Sequence, residues 1–185
     1  MGNNVRVAKR ICGALLTVAG AMIWAGTANA ASRVATGKVV IVRPNVFINV
    51  QDLDFGAIIP SAAAGTVTIP PFGARTSTGG ITVVPTSLFT PARFAGEGTS
   101  GQLVAISVTA TSINLTRVGG TQTMAVDTFV IGSTPTMVLG TAPTLFTIGS
   151  STGIFNFPVG ATLRVNANQV EGSYVGNFTV TLNYQ

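Results

Sequence analysis

The chain has 185 residues, 46% of them hydrophobic and only 8% charged, enough for one domain of ordinary size or two very small ones. Ten Lys plus Arg against five Asp plus Glu give a formal charge of +5, a balance that alone would point to nucleic acid, but the cations are too scattered for that partner. There is no His and a single Cys, which excludes the usual zinc sites and Ser/His/Asp triads.

The first element is a leader. Arg6, Lys9 and Arg10 precede an apolar run from Ile11 to Gly26, and Ala28-Asn29-Ala30 follows with the small-residue spacing of a signal peptidase site. Cleavage is predicted after Ala30, with Ala28 and Ala30 as the recognition positions. Residues 1–30 are then a signal peptide and residues 31–185 a single mature domain. The apolar run is short for a membrane span of about 20 residues, and no later window sustains one. Cys12 and the only Trp, Trp24, leave with the leader. Cys12 precedes the apolar core of the leader, so no lipoprotein anchor is expected. The mature 155 residues carry seven cations (Arg33, Lys38, Arg43, Arg75, Arg93, Arg117, Arg164) and five anions (Asp52, Asp54, Glu97, Asp127, Glu171). The expected product is exported to the periplasm, cell surface or medium, has no disulfide or thiol nucleophile, and depends on a packed core.

After Ala30 no helical periodicity is sustained, and short runs of Val, Ile, Thr and Phe alternate with Gly, Pro, Ser and Asn. The predicted strands are Lys38 to Val42, Val46 to Val50, Thr66 to Ile69, Ile81 to Val84, Leu103 to Ala110, Ile113 to Arg117, Asp127 to Ile131, Leu145 to Ile148, Thr162 to Asn166 and Tyr174 to Tyr184. Eight to ten short strands with closely spaced turns predict an all-β, immunoglobulin-like sandwich. Thr supplies exposed β-branched positions without charge, a composition suited to packing against other protein.

The last predicted strand alternates most clearly. Tyr174, Gly176, Phe178, Val180, Leu182 and Tyr184 share one face, and Val175, Asn177, Thr179, Thr181 and Asn183 the other.

Carboxylates are the remaining chemical candidates. Asp52 and Asp54 share a strand face, but two residues supply too few oxygens for a hard cation. Glu97 pairing with Asp127 or Glu171 would be a glycosidase couple, although nothing local fixes their separation. Gly98-Thr99-Ser100-Gly101 lacks the Lys of a phosphate loop and reads as a turn. No basic run is interleaved with aromatics. The Asn114-Leu115-Thr116 and Asn177-Phe178-Thr179 sequons are matches expected by chance in a Thr-rich chain. The expectation is a protein with no cofactor, no metal and no enzymatic activity.

Counted from Gln185, Gly172 is the fourteenth residue from the end and Tyr184 the penultimate. This pairing resembles the C-terminal motif of subunits assembled by the chaperone-usher pathway. With it stand Leu53-Asp54-Phe55-Gly56, Val159 to Val165, and Gln169 to Leu182. Together they resemble a family of secreted bacterial domains of unknown function that is similar to spore coat protein U and fimbrial subunits. The resemblance implies an incomplete immunoglobulin-like sandwich, completed by a strand from another polypeptide. It makes Gly172 and the Tyr174 to Tyr184 face the edge gripped by a periplasmic chaperone and passed to an outer-membrane usher. The donor candidate is residues 31–42, with Ala35, Gly37, Val39 and Ile41 on one face ahead of Arg43-Pro44, which breaks pairing. Lys38 to Val42 reads equally as the domain's own first strand. Fimbrial subunits usually carry a disulfide and a distinct donor arm, which this mature chain lacks.

Two functions follow as expectations: a self-associating structural surface subunit, and a monomeric adhesin or carbohydrate-binding sandwich. The second would use aromatic platforms drawn from Phe72, Phe89, Phe94, Phe155 and Phe157, residues that more often sit in cores.

Overall fold

The computed structural model describes residues 46–185 together with Gly37 and Val39. Contacts divide the chain into residues 1–40 and 41–185, and every described strand belongs to the second unit. The predicted strand from Lys38 to Val42, the signal-peptide boundary at Ala28 and Ala30, and the donor positions Ala35 and Ile41 lie outside the described residues. Gly37 and Val39 belong to no strand.

Fourteen strands follow in chain order. They are β1 (Val46–Gln51), β2 (Ile58–Ile59), β3 (Gly65–Ile69), β4 (Thr76–Gly79), β5 (Thr82–Val83), β6 (Ala92–Glu97), β7 (Leu103–Val108), β8 (Ser112–Arg117), β9 (Thr123–Ile131), β10 (Met137–Val138), β11 (Thr144–Thr147), β12 (Ile154–Val165), β13 (Tyr174–Val175) and β14 (Val180–Tyr184). The protein is an all-β sandwich, with no helix among the described residues. The larger sheet has the order β1-β6-β12-β9-β8-β13, with β10 added to β9 and β3 and β4 added beside β12. The smaller sheet is β11-β7-β14, and β2 and β5 form a separate pair. Every pairing is antiparallel.

The long strand β12 is the spine of the larger sheet. One of its edges pairs with β6 from Ile154 to Val159 and then with β3 from Ala161 to Val165. Its inward residues Phe157, Val159, Ala161, Leu163 and Val165 are all buried, as period-two alternation requires. Pro158 interrupts the sequence pattern but not the ladder. Its carbonyl accepts the Gly132 N–H at 2.8 Å. The N–H that proline lacks would point to the same side, toward Gly132 just past the end of β9, so the missing donor falls at the margin of the ladder and not within it.

Alternation in β9 slips by one residue. Met124 and Val126 are buried, then Phe129 and Ile131. Between them the register against β12 shifts, with Gly160 opposite Val130 and Thr162 opposite Asp127. Thr128 supplies the extra residue at φ 52°, a bulge that returns the apolar side chains to the core face.

The core lies between the sheets. Val104, Ile106 and Val108 of β7 belong to the same cluster as Val67, Ile69, Phe94, Val126 and Phe129 of the larger sheet. Phe47, Phe94 and Phe157 stack with centroids 5.6 to 6.1 Å apart. Gly96 carries no Cβ because one would meet the Phe155 ring at 2.4 Å.

One sequence expectation is corrected. Tyr174 to Tyr184 is not a single strand: β13 pairs with β8 in the larger sheet, β14 pairs with β7 in the smaller, and residues 176–179 belong to neither. The alternation persists through the crossing, because both halves turn the same parity toward one interior. Four strands also went unread. β4 carries no large apolar residue, β6 mixes Arg93 and Glu97 with small residues, and β2 and β10 have only two residues each. The first half of β12 is concealed by Pro158 and Gly160.

Candidate functional site

The turn into the last strands is fastened by side chains. The Tyr174 hydroxyl donates to the Val170 carbonyl at 2.6 Å and accepts from Gln169 Nε2 at 2.7 Å. This bond from the start of a late strand to backbone a few residues upstream has the form of a tyrosine corner, a feature of immunoglobulin-like sandwiches. Gly172, at φ 143°, lies against Arg117: a Cβ there would meet Arg117 Nε at 2.7 Å. That same Nε donates to the Glu171 carbonyl at 2.7 Å.

On the other side, the segment after β1 is held by Arg75. Its guanidinium donates to the Phe55 carbonyl and, at 2.9 Å, to the Val84 carbonyl. It also lies 5.1 Å from the Phe89 ring centroid, a cation-π contact. Gly56, at φ 69°, accepts the approach of Arg75 and the Leu88 carbonyl. The Asp54 carboxylate receives the Gly56 N–H at 2.8 Å, and the Asp52 carboxylate receives Asn49 Nδ2 at 2.9 Å.

Between these two banks a groove of about 680 Å³ opens into the sandwich. Asn49, residues 52–58 and Pro60 form one bank and residues 169–178 the other. Ile113, Leu115, Met124, Val126, Leu163 and Val165 form an apolar floor that is continuous with the core. Three carboxylate residues, Asp52, Asp54 and Glu171, stand among the lining residues, with no Lys or Arg.

The residues marked from sequence divide between this groove and the smaller sheet. Gly172, Tyr174, Gly176 and Phe178 line the second bank. Phe178 stacks on Phe129 at 4.9 Å and meets Phe94 edge-on at 6.2 Å. Val180, Leu182 and Tyr184 lie on β14, which among the described strands pairs on one side only, with β7. β1 likewise pairs only with β6. Tyr184 connects these two edge strands. Its hydroxyl shares one proton between the Glu97 and Val46 carbonyls, at 2.9 and 3.0 Å, and burial raises the pKa of its phenol.

Of the donor positions, Val39 is 83% exposed and Gly37 has no heavy atom near the place of a Cβ. Among the aromatic platforms only Phe72 is exposed; Phe94 and Phe157 are core residues, and Phe89 and Phe155 are half-buried. The Glu97–Asp127 glycosidase couple is not assembled. Glu97 sits opposite Ile154 and Asp127 opposite Thr162. Those positions are eight residues apart on β12, roughly 26 Å at about 3.3 Å per residue, against the roughly 5 to 9.5 Å of such pairs. Asp127 is instead forked to Arg164 at 2.8 and 3.2 Å. Among the described residues no three acidic side chains gather as a metal site.

Sequence reading marked Asp52 and Leu53 to Gly56 without placing them on a groove, and it missed the floor. The Ile113/Leu115 alternation was visible, but which strand would leave it uncovered was not.

Fold and groove define a class: an all-β, antiparallel sandwich whose core opens between its first and last described strands. The chain belongs to the family described as a domain of unknown function (DUF4402), whose model matches residues 47–184. No curated protein and no solved structure matches the chain. The family description contains no link to spore coat protein U or to fimbrial subunits.

Proposed function

We propose that this chain is an exported, non-enzymatic structural subunit of a cell-surface or fimbria-like assembly, joined to its neighbours by β-strand exchange. The observation that carries the reading is the groove between residues 49–60 and 169–178, with its apolar floor and an edge strand near each bank. An added strand would find apolar pockets there and, at an open sheet edge, unpaired backbone groups. Burial of about five donor side chains at roughly 1.5 to 3 kcal/mol each is worth on the order of 8 to 15 kcal/mol. That matches the whole stability of a typical domain, about 5 to 15 kcal/mol. A subunit without its donor is therefore marginal and requires a periplasmic chaperone, with an outer-membrane usher as the further partner. The likeness to spore coat protein U and fimbrial subunits belongs to this reading, as does export after cleavage at Ala30.

The donor is residues 31–42, with Ala35, Gly37, Val39 and Ile41 facing the groove. Residues 31–185 and a chain starting at Pro44 are compared by mass in solution and thermal stability, with and without a peptide of residues 31–43. Strand exchange requires the shorter chain to be unstable or aggregated and the peptide to rescue it. Equal stability without peptide binding would sink the proposal.

A second reading, a monomeric adhesin or carbohydrate-binding sandwich, draws on Phe72. This ring is 61% exposed beside a hollow of about 370 Å³ lined partly by Thr68, Thr128 and Thr162. On that reading the chain stays monomeric, and Phe72→Ala removes glycan binding on an array.

A further inference from the structure

The mature chain's charges are distributed unevenly between the groove and the segment that precedes β1. Three of its five anions, Asp52, Asp54 and Glu171, line the groove, and no cation does. Among the described residues none of the three forms an ion pair; the Asp52 and Asp54 carboxylates accept from Asn49 Nδ2 and the Gly56 N–H. Three of its seven cations, Arg33, Lys38 and Arg43, fall within residues 31–43, which contain no anion. In extended conformation Arg33 and Arg43 share a face with Ala35, Gly37, Val39 and Ile41. That face runs from a cation through small and then large apolar side chains to a second cation, roughly 33 Å long at about 3.3 Å per residue.

We propose that the groove is charge-matched to residues 31–43 of a second copy of this chain, so that the three carboxylates select that segment over other apolar strands. The inference rests on the strand-exchange reading above and adds the basis of partner choice. The apolar floor supplies affinity without discriminating among apolar strands. Carboxylates at the banks attract a cation-flanked strand and repel an acidic one, which is how charge separates right from wrong partners. Val39 is 83% exposed in the single chain.

Sedimentation velocity on the full mature chain, residues 31–185, tests this with three variants. One carries R33E, K38E and R43E; the second carries D52K, D54K and E171K; the third carries V39D and I41D with all native charges kept. Each charge reversal is expected to weaken self-association roughly tenfold or more. An equimolar mixture of the two should restore it to within about threefold, because each reversed segment then faces a reversed groove. Raising salt from about 0.05 to about 0.5 M should weaken the native association by a similar factor, since exposed charges are screened.

If both reversals associate like the native chain while the V39D/I41D chain does not, the charge match is overturned and strand exchange stands. If the reversals lose association and the mixture fails to restore it, the losses reflect damage to the fold and the charge match is overturned as well. A native chain that is monomeric throughout, or a V39D/I41D chain that associates normally, overturns strand exchange and this inference together.

Discussion

Tyr184 joins the two sheets through a single proton. Removing the hydroxyl leaves two carbonyls competing for other donors, so Tyr184→Phe is expected to cost about 1 to 2 kcal/mol in urea unfolding at neutral pH. Burial pushes the folded phenol above its ordinary value of 10.0. The native contribution is therefore fully present below about pH 10 and is lost as pH rises through the higher folded value. The phenylalanine chain should lack that alkaline fall. Asp127 has the opposite sign. The Arg164 fork holds its carboxyl below 3.8, so its contribution is present above that value and is lost as pH falls through the lower folded one. Urea midpoints measured across the acid range should show a shallower fall for Asp127→Asn. Neither role was legible in sequence, because both depend on partners far along the chain: Glu97 and Val46 for Tyr184, and Arg164 for Asp127.

Strands were legible where apolar residues alternate without interruption, as in β1, β3, β8 and the second half of β12. They were lost where the ladder tolerates residues that usually break it. β12 shows the physical reason: Pro158 falls just past the end of the β9 ladder, where a missing donor does not break the run, and Gly160 lies where backbone passes closely. A Cβ at Gly160 would stand 2.2 Å from the Ile69 carbonyl oxygen and 2.7 Å from the Pro70 carbonyl carbon. Since those atoms are backbone, Gly160→Ala should force β3 away from β12 and cost about 3 kcal/mol, measured by thermal unfolding. The bulge at Thr128 hid the start of β9 in another way. Inserting one residue reverses the parity of the apolar pattern, so a strand of nine residues reads as one of five.

Across the whole molecule, chain order says little about which strands meet. β1 pairs with β6, β3 with β12, and β7 with β14, so most of the sheet closes only when distant segments come together. Loop closure precedes those contacts, and refolding after a denaturant jump is expected over milliseconds to seconds. Stopped-flow fluorescence of the tyrosines would report it; a phase complete in microseconds would contradict the topology. The sequence by itself determined the all-β class, the residue types that exclude common catalytic designs, and the inward face of the last strands. Periodicity records which side chains leave water, and that is a local property. Only the tertiary structure decided that the last strand crosses between sheets, that Tyr184 links them, and that the core opens as a groove beside three carboxylates. Those features depend on which strand lies beside which, a choice fixed by packing between segments as much as 138 residues apart.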